Sequence, residues 1–252
     1  MTTPDPLDSL GTPKAEFLAS VRQSLGREDV PPAEVYPRLT DTVGELEEQA
    51  AQLRRRVEEN LPALLDKLAD MAEKGGWRVH RASGAEEAVG FVESIVKESG
   101  TSNIVRSAQD VFEQIPVDAA LAGLGSKVTT VLRDDENPRE ALREEIRRSG
   151  VGITGADYAL AETGTLVIMP RKGLSRLVSL VPPVHIALVR AQDLLETLDD
   201  LFVLRRLEYH QQGGEMGSYL NFITGPSRTA DIEMTIVEGV HGPKEVHMVI
   251  LD

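Results

Sequence analysis

The chain has 252 residues, no cysteine, and 41 acidic against 27 basic side chains, a formal charge of -14. That length supports one large core, or one domain with an accessory element. The missing cysteines exclude disulfides and any iron–sulfur or zinc site held by the chain's own thiolates. The negative balance disfavours nucleic acid and anionic lipid as partners, and an aromatic content of 4% offers little for base stacking.

In chain order, "MTTPDPLDSL" has neither the basic region nor the apolar stretch of a signal peptide, and residues 1–12 read as a disordered lead. Pro13–Gly26 has Pro at its start, Gly at its end, and Phe17, Leu18, Val21 and Leu25 at helical spacing. Three prolines make "REDVPPAEVYPRLTD" an extended linker. A long helical stripe follows through Val43, Leu46, Ala50, Leu53, Val57, Leu61, Leu64, Leu68 and Met71. Pro62 lies inside it and predicts a kink or the start of a second helix. Residues 1–74 therefore read as a flexible lead and helical arm.

From about Gly75 short β-prone runs alternate with amphipathic helical ones: "WRVHR", "AEEAVGFVESIVKES", "NIVRS", "AQDVFEQI", "KVTTVL", "PREALREEIRRSG", "VGITGA", "DYALAE", "TLVIM", "VHIALVR", "AQDLLETLDDLFVLRRLEYH", "YLNFITG" and "EVHMVIL". "DYALAE" and the whole run after "VHIALVR" read as helical. The alternation predicts an α/β domain over 75–252, a mostly parallel sheet with helices on both faces. Ligands of such sheets sit at the carboxyl ends of the strands. Gly-rich loops after "VGIT", after "NFIT" and before "EVHMVIL" are expected there. The most apolar segment, Leu177–Val189, carries two prolines and a His and is too short to span a membrane. A cytoplasmic protein without membrane insertion is expected.

Three stretches offer chemistry. In "GITGADYALAETGTLVIMP", Gly155 and Gly164 permit close backbone approach or positive φ, and Thr163 and Thr165 place hydroxyls beside freed amides. Glu162 stands at a strand entrance, as a carboxylate base or as a cap on nearby amides. The window Met169–Arg190 has no acid and holds Arg171, Lys172, Arg176, His185 and Arg190, an island suited to an anionic small molecule. Arg176, in a Gly-Leu-Ser-Arg turn, is its best candidate for a two-pronged grip on carboxylate or phosphate. His185 within an apolar strand is more often a satisfied core side chain than a base. In the third stretch, Gly225-Pro-Ser227 forms a tight turn with Ser227 as a helix cap for "RTADIE". Arg228 then sits against the helix dipole, with Asp231 placed to orient it. Gly239-Val-His241-Gly-Pro-Lys244 makes a second Gly-flanked turn. Substrate contacts are expected from Gly155, Thr163, Thr165, Arg176, Gly225, Ser227, Arg228 and Lys244, and proton transfer from Glu162 and His241. Other signatures fail: "GLGSK" lacks the third Gly of a dinucleotide loop, and His241 and His247 are poorly spaced for metal.

"GITGADYALAETGTLVI", "SRLVSLVPPVHIALV" and "ITGPSRTADIEMTIVEGVHGPKEVHMVILD", in that order, resemble the lactate-utilization protein C, or LUD-domain, family across roughly residues 75–252. The resemblance implies a fold similar to the glucosamine-6-phosphate deaminase, ribose-5-phosphate isomerase and CoA-transferase group. It also implies a part in oxidising L-lactate to pyruvate beside partner proteins rich in iron–sulfur ligands. The expected role is a subunit without a redox cofactor of its own that binds a small anionic metabolite, with the iron–sulfur clusters on its partners. The alternatives are a stand-alone transferase or isomerase acting on a phosphorylated or CoA-linked substrate through Glu162, and a metabolite-binding assembly module.

Overall fold

The computed structural model describes residues 14–26, 41–132, 138–171, 173–214, 217, 219–230 and 236–252. The lead, most of the Pro-rich linker, Lys172 and Asp231 lie outside the described residues. The chain forms two compact units, Met1–Thr42 and Val43–Asp252. In the first, helix α1 (Lys14–Ser24) forms where the spacing predicts, and Phe17, Leu18, Val21 and Leu25 are exposed.

The second unit opens with α2 (Val43–Glu59) and α3 (Leu61–Gly75). Pro62 sits in the first turn of α3, where its missing N–H costs nothing. Gly76 closes α3 in a left-handed conformation, φ 99°, and the Trp77 N–H returns to the Ala72 carbonyl. Leu53, Val57, Leu64, Leu65 and Leu68 are buried within this unit, so the long apolar stripe is spent on the α/β body.

The body is a six-stranded, all-parallel sheet of β1 (Arg78–Ala82), β2 (Asn103–Arg106), β3 (Lys127–Thr130), β4 (Val151–Gly155), β7 (Val184–Arg190) and β12 (Glu245–Leu251). Their order is β1-β12-β7-β4-β2-β3. All of β4 and β7 is buried, which is why these strands read as near-continuous apolar runs. On one face α4 (Ala85–Ser99), α5 (Val111–Gln114) and α6 (Val117–Gly123) pack Val92, Ile95, Ile115 and Leu121 against Ile153, Ile186, Leu188 and Val249.

The opposite face receives α3 and a four-stranded mixed sheet, β8-β5-β6-β9, formed by β5 (Tyr158–Leu160), β6 (Thr165–Ile168), β8 (Leu194–Leu195) and β9 (Asn221–Ile223). Leu68, Leu160 and Leu166 there meet Ala187, Val189, Met248 and Ile250. A smaller cluster of Val105, Val131, Ile146 and Val178 seats α7 (Arg139–Arg148) and α8 (Leu177–Leu180). Helix α9 (Leu198–Gln211) packs against α2 through Ala50 and Leu207. Strands β10 (Arg228–Ala230) and β11 (Ile236–Glu238) pair as an antiparallel ribbon.

Three local expectations are corrected. "DYALAE" supplies strand β5, held between β6 and β8. The run after β7 is a 3₁₀ turn (Ala191–Asp193) and β8, and α9 starts only at Leu198. Thr197 accepts the Asp200 N–H while Asp200 accepts the Thr197 N–H, a reciprocal cap that fixes this start. Finally, Arg228 opens a strand opposite Glu238 instead of a helix capped by Ser227.

Candidate anion-binding cleft

Neighbouring strands β2 and β4 lead in opposite directions, β2 outward to the edge strand β3 and β4 inward to β7. Such a reversal leaves a crevice at the carboxyl ends of the two strands. Gln109 fills its inner part. Its Oε1 accepts the Gly155 N–H at 2.8 Å and the Ser107 hydroxyl at 2.7 Å. A Cβ on Gly155 would stand 2.8 Å from Val111, so this position needs glycine for close approach. Its amide is spent on Gln109, however, and is not free for a substrate.

The segment after β6 crosses the carboxyl ends of β2 and β3. The Ala108 N–H donates to the Gly173 carbonyl at 2.9 Å, and Arg171 and Leu174 exchange backbone hydrogen bonds. Asp157, just beyond β4, ties this segment down. It accepts the Met169 N–H at 2.6 Å and pairs with Arg171 at 2.8 Å, with its side chain only 8% exposed.

Under this segment lies a cleft of about 1130 Å³. Val131, Leu142, Ile146, Leu174 and Leu177 give it an apolar floor. Arg139 and Arg143 enter from α7, Arg171 and Arg176 from the crossing segment, and Tyr219 closes one side. Arg143 pairs with Glu140 at 3.2 Å, and Arg171 with Asp157. Arg139 and Arg176 form no ion pair among the described residues. The Arg176 guanidinium lies 5.5 Å from the centre of the Tyr219 ring, a cation–π contact that leaves its hydrogen-bond donors available. The described lining contains no carboxylate and no imidazole. Uncommitted guanidinium groups over an apolar floor attract an anion and hold it by paired N–H donors. The same lining offers no group suited to take a proton from an alcohol.

A second cleft, about 550 Å³, lies at the carboxyl ends of β7 and β12, with leucines from α2, β8 and α9 in its wall. Its lining mixes the cations Arg54 and Arg190 with the acids Glu58 and Asp252, and Arg190 is committed to Asp193, at 2.7 and 3.0 Å, and to Asp110, at 2.9 Å. Those carboxylates raise the Arg190 pKa and keep it a fixed internal charge.

The remaining sequence candidates sit elsewhere. Glu162 accepts the Leu198 N–H at 2.7 Å, the first amide of α9, so it occupies a capping position. Thr163 donates to Thr165 at 2.8 Å, and Thr165 meets Thr224 at 3.0 Å. Between the two threonines, Gly164, φ 65°, lies against the backbone of α3, and a Cβ there would stand 2.3 Å from the Ala72 nitrogen. The carbonyl of Thr224 in turn approaches Gly75, which also touches Gly225.

Ser227, His241 and Lys244 belong to the turns that precede β12. The Ser227 N–H bonds the Pro243 carbonyl, the His241 N–H bonds the Ser227 hydroxyl, and the Lys244 N–H bonds Pro183, just ahead of β7. These are the amino ends of the parallel strands. Arg228 pairs with Glu238 at 3.1 Å. The expected single seat built from Arg176, Arg228 and His241 is therefore not formed: only Arg176 lines the arginine cleft. Arg139, Arg143 and Tyr219 escaped the sequence reading because acids surround them in "PREALREEIRR" and glycines precede the Tyr. Arg139 did carry a signal, a cation in the first turn of α7, where the helix dipole disfavours it.

His185 is fully buried, bonded through Nε2 to Thr154 at 2.8 Å, with Nδ1 unpartnered beside Trp77. Burial, aided by the nearby His247, pushes its pKa down to about 3. Among the described residues no three His, Asp or Glu side chains group closely enough to hold a metal, and no helix is long and apolar enough to cross a membrane.

The sequence pattern of the LUD domain matches residues 65–251. The chain belongs to the LUD-domain family. Lactate utilization protein C of Halalkalibacterium halodurans is 33% identical over 162 residues, covering 64% of this chain and 67% of the relative. Lactate utilization protein B of Bacillus licheniformis is 27% identical over 250 residues, 81% of this chain and 51% of the relative. The relative named uncharacterized electron transport protein YkgF, of Escherichia coli, is 25% identical over 264 residues, 85% of this chain and 54% of the relative. This LUD-domain chain thus spans about half the length of the protein B relatives it matches. A crystal structure of a DUF162 family protein from Deinococcus radiodurans superposes with a TM-score of 0.54 at 22% identity, over 76% of this chain and 98% of that one. That likeness supports the α/β fold.

Proposed function

We propose that this LUD-domain chain serves in the oxidation of L-lactate to pyruvate as a subunit without a redox group of its own. It binds a small anionic metabolite, and iron–sulfur partner proteins carry the electrons. The observation that carries the reading is the arginine cleft: four guanidinium groups, two of them uncommitted, and no described acid, in a chain of charge -14. The names of the relatives support the pathway, lactate utilization for two and electron transport for a third. A chain without cysteine leaves thiolate-held clusters to other proteins. Arg176 grips the anionic group, and proton and electron transfer belong to the partners.

Affinity capture from lactate-grown cells, followed by iron analysis of the recovered proteins, tests the division of labour. Recovery of an iron–sulfur protein with the chain supports it. Capture of the chain alone, in repeated preparations at low salt, removes the complex from the account.

A further inference from the structure

The arginine cleft is large for the acid that the pathway consumes. A three-carbon hydroxy acid has six heavy atoms and occupies on the order of 100 Å³ at interior packing density, against about 1130 Å³ here. Clefts that enclose a whole ligand of cofactor size measure roughly 300–1,000 Å³. One guanidinium suffices to grip a monocarboxylate by two parallel bonds, whereas this cleft presents two uncommitted ones on separate elements, Arg139 in the first turn of α7 and Arg176 ahead of α8. Between them the floor is apolar, and Tyr219 remains 42% exposed although Arg176 lies over its ring. Two cations that each suit a phosphate, an apolar floor and an accessible aromatic ring match one kind of molecule.

We infer that the cleft is shaped for an organic diphosphate carrying a planar group, the chemistry of a nucleoside diphosphate. The two phosphates bridge Arg139 and Arg176, and the planar group lies on the apolar floor beside Tyr219. This rests on the anion-binding reading of the same cleft and names the class of anion.

The test is calorimetric titration of the full chain with ADP, inorganic pyrophosphate, inorganic phosphate and L-lactate, repeated on Arg139→Ala, Arg176→Ala and Tyr219→Ala. All three side chains are exposed, and a thermal melt of each variant checks its fold. The inference expects ADP to bind at least tenfold more tightly than L-lactate and more tightly than pyrophosphate. Each Arg→Ala change weakens ADP tenfold or more, and Tyr219→Ala weakens ADP without weakening pyrophosphate. ADP no tighter than pyrophosphate, or indifferent to Arg139→Ala, overturns it. Phosphate or lactate binding that depends on Arg176, with no gain for ADP, overturns this inference and leaves the small-anion reading standing. Absence of binding by any of the four overturns both.

Discussion

His185 offers a sharp test of how the body is held together. It is fully buried in β7, and burial holds its pKa at about 3 against an unfolded value of 6.5. Because the folded value is the depressed one, the unfolded chain binds the proton first as pH falls. Its contribution is therefore intact above pH 6.5 and is lost progressively from there down to about 3. Each unit of pH in that window costs roughly 1.4 kcal/mol. Between pH 7 and pH 5 this one side chain should remove about 2 kcal/mol, a large share of the stability of an ordinary domain. His247 and His80 also have lowered values, chiefly through burial, and add to the slope in the same direction. The assay is urea unfolding at half-unit pH steps on the parent chain and on His185→Gln, whose amide retains a partner for Thr154 without titrating. The variant should lose about 2 kcal/mol less than the parent over that range. Identical pH profiles for the two chains would refute the reasoning.

Three substitutions probe the framework around the cleft. Leu68→Ala, at a fully buried position of α3, should cost about 2–5 kcal/mol in urea unfolding; a cost below 1 kcal/mol means α3 is not part of the body. Gly164→Ala places a Cβ against the Ala72 backbone at positive φ, and strain and overpacking together should cost roughly 2–5 kcal/mol. An unchanged unfolding midpoint contradicts that close approach. Glu162→Gln keeps an acceptor for the Leu198 N–H but removes a charge from the start of α9, a loss of about 0.3–1 kcal/mol, and should leave anion affinity unchanged. Lost anion binding in a folded Glu162→Gln chain would return that carboxylate to the site.

The central sheet was legible because its inner strands are buried on both faces, so "VHIALVR" and "EVHMVIL" announce themselves by composition alone. Pro62 marked the start of α3, and a buried His185 was the expected state of a His in an apolar strand. "DYALAE" misled because Ala, Leu and Glu favour helix, while its strand state depends on β6 and β8 on either side. Arg228 misled because its partner, Glu238, comes ten residues later across a ribbon that the local pattern does not reveal. One error was avoidable on physical grounds. A turn that precedes a parallel strand lies at that strand's amino end, so His241 and Lys244 are excluded from the carboxyl rim once Glu245–Leu251 is read as such a strand. The acid-free window Met169–Arg190 located half of the cleft. The other half comes from α7, where arginines stand among acids and only the folded arrangement separates them.

The most direct measurement is the dissociation constant for inorganic phosphate, by calorimetry at low salt, of the parent chain and of Arg176→Ala. An anion held by this guanidinium should lose about 1.5–3 kcal/mol on truncation, tenfold or more in affinity, and the binding should weaken as salt rises. Phosphate that binds both chains equally, or a parent chain that binds none of phosphate, pyrophosphate, ADP and L-lactate, contradicts an anion seat in the arginine cleft.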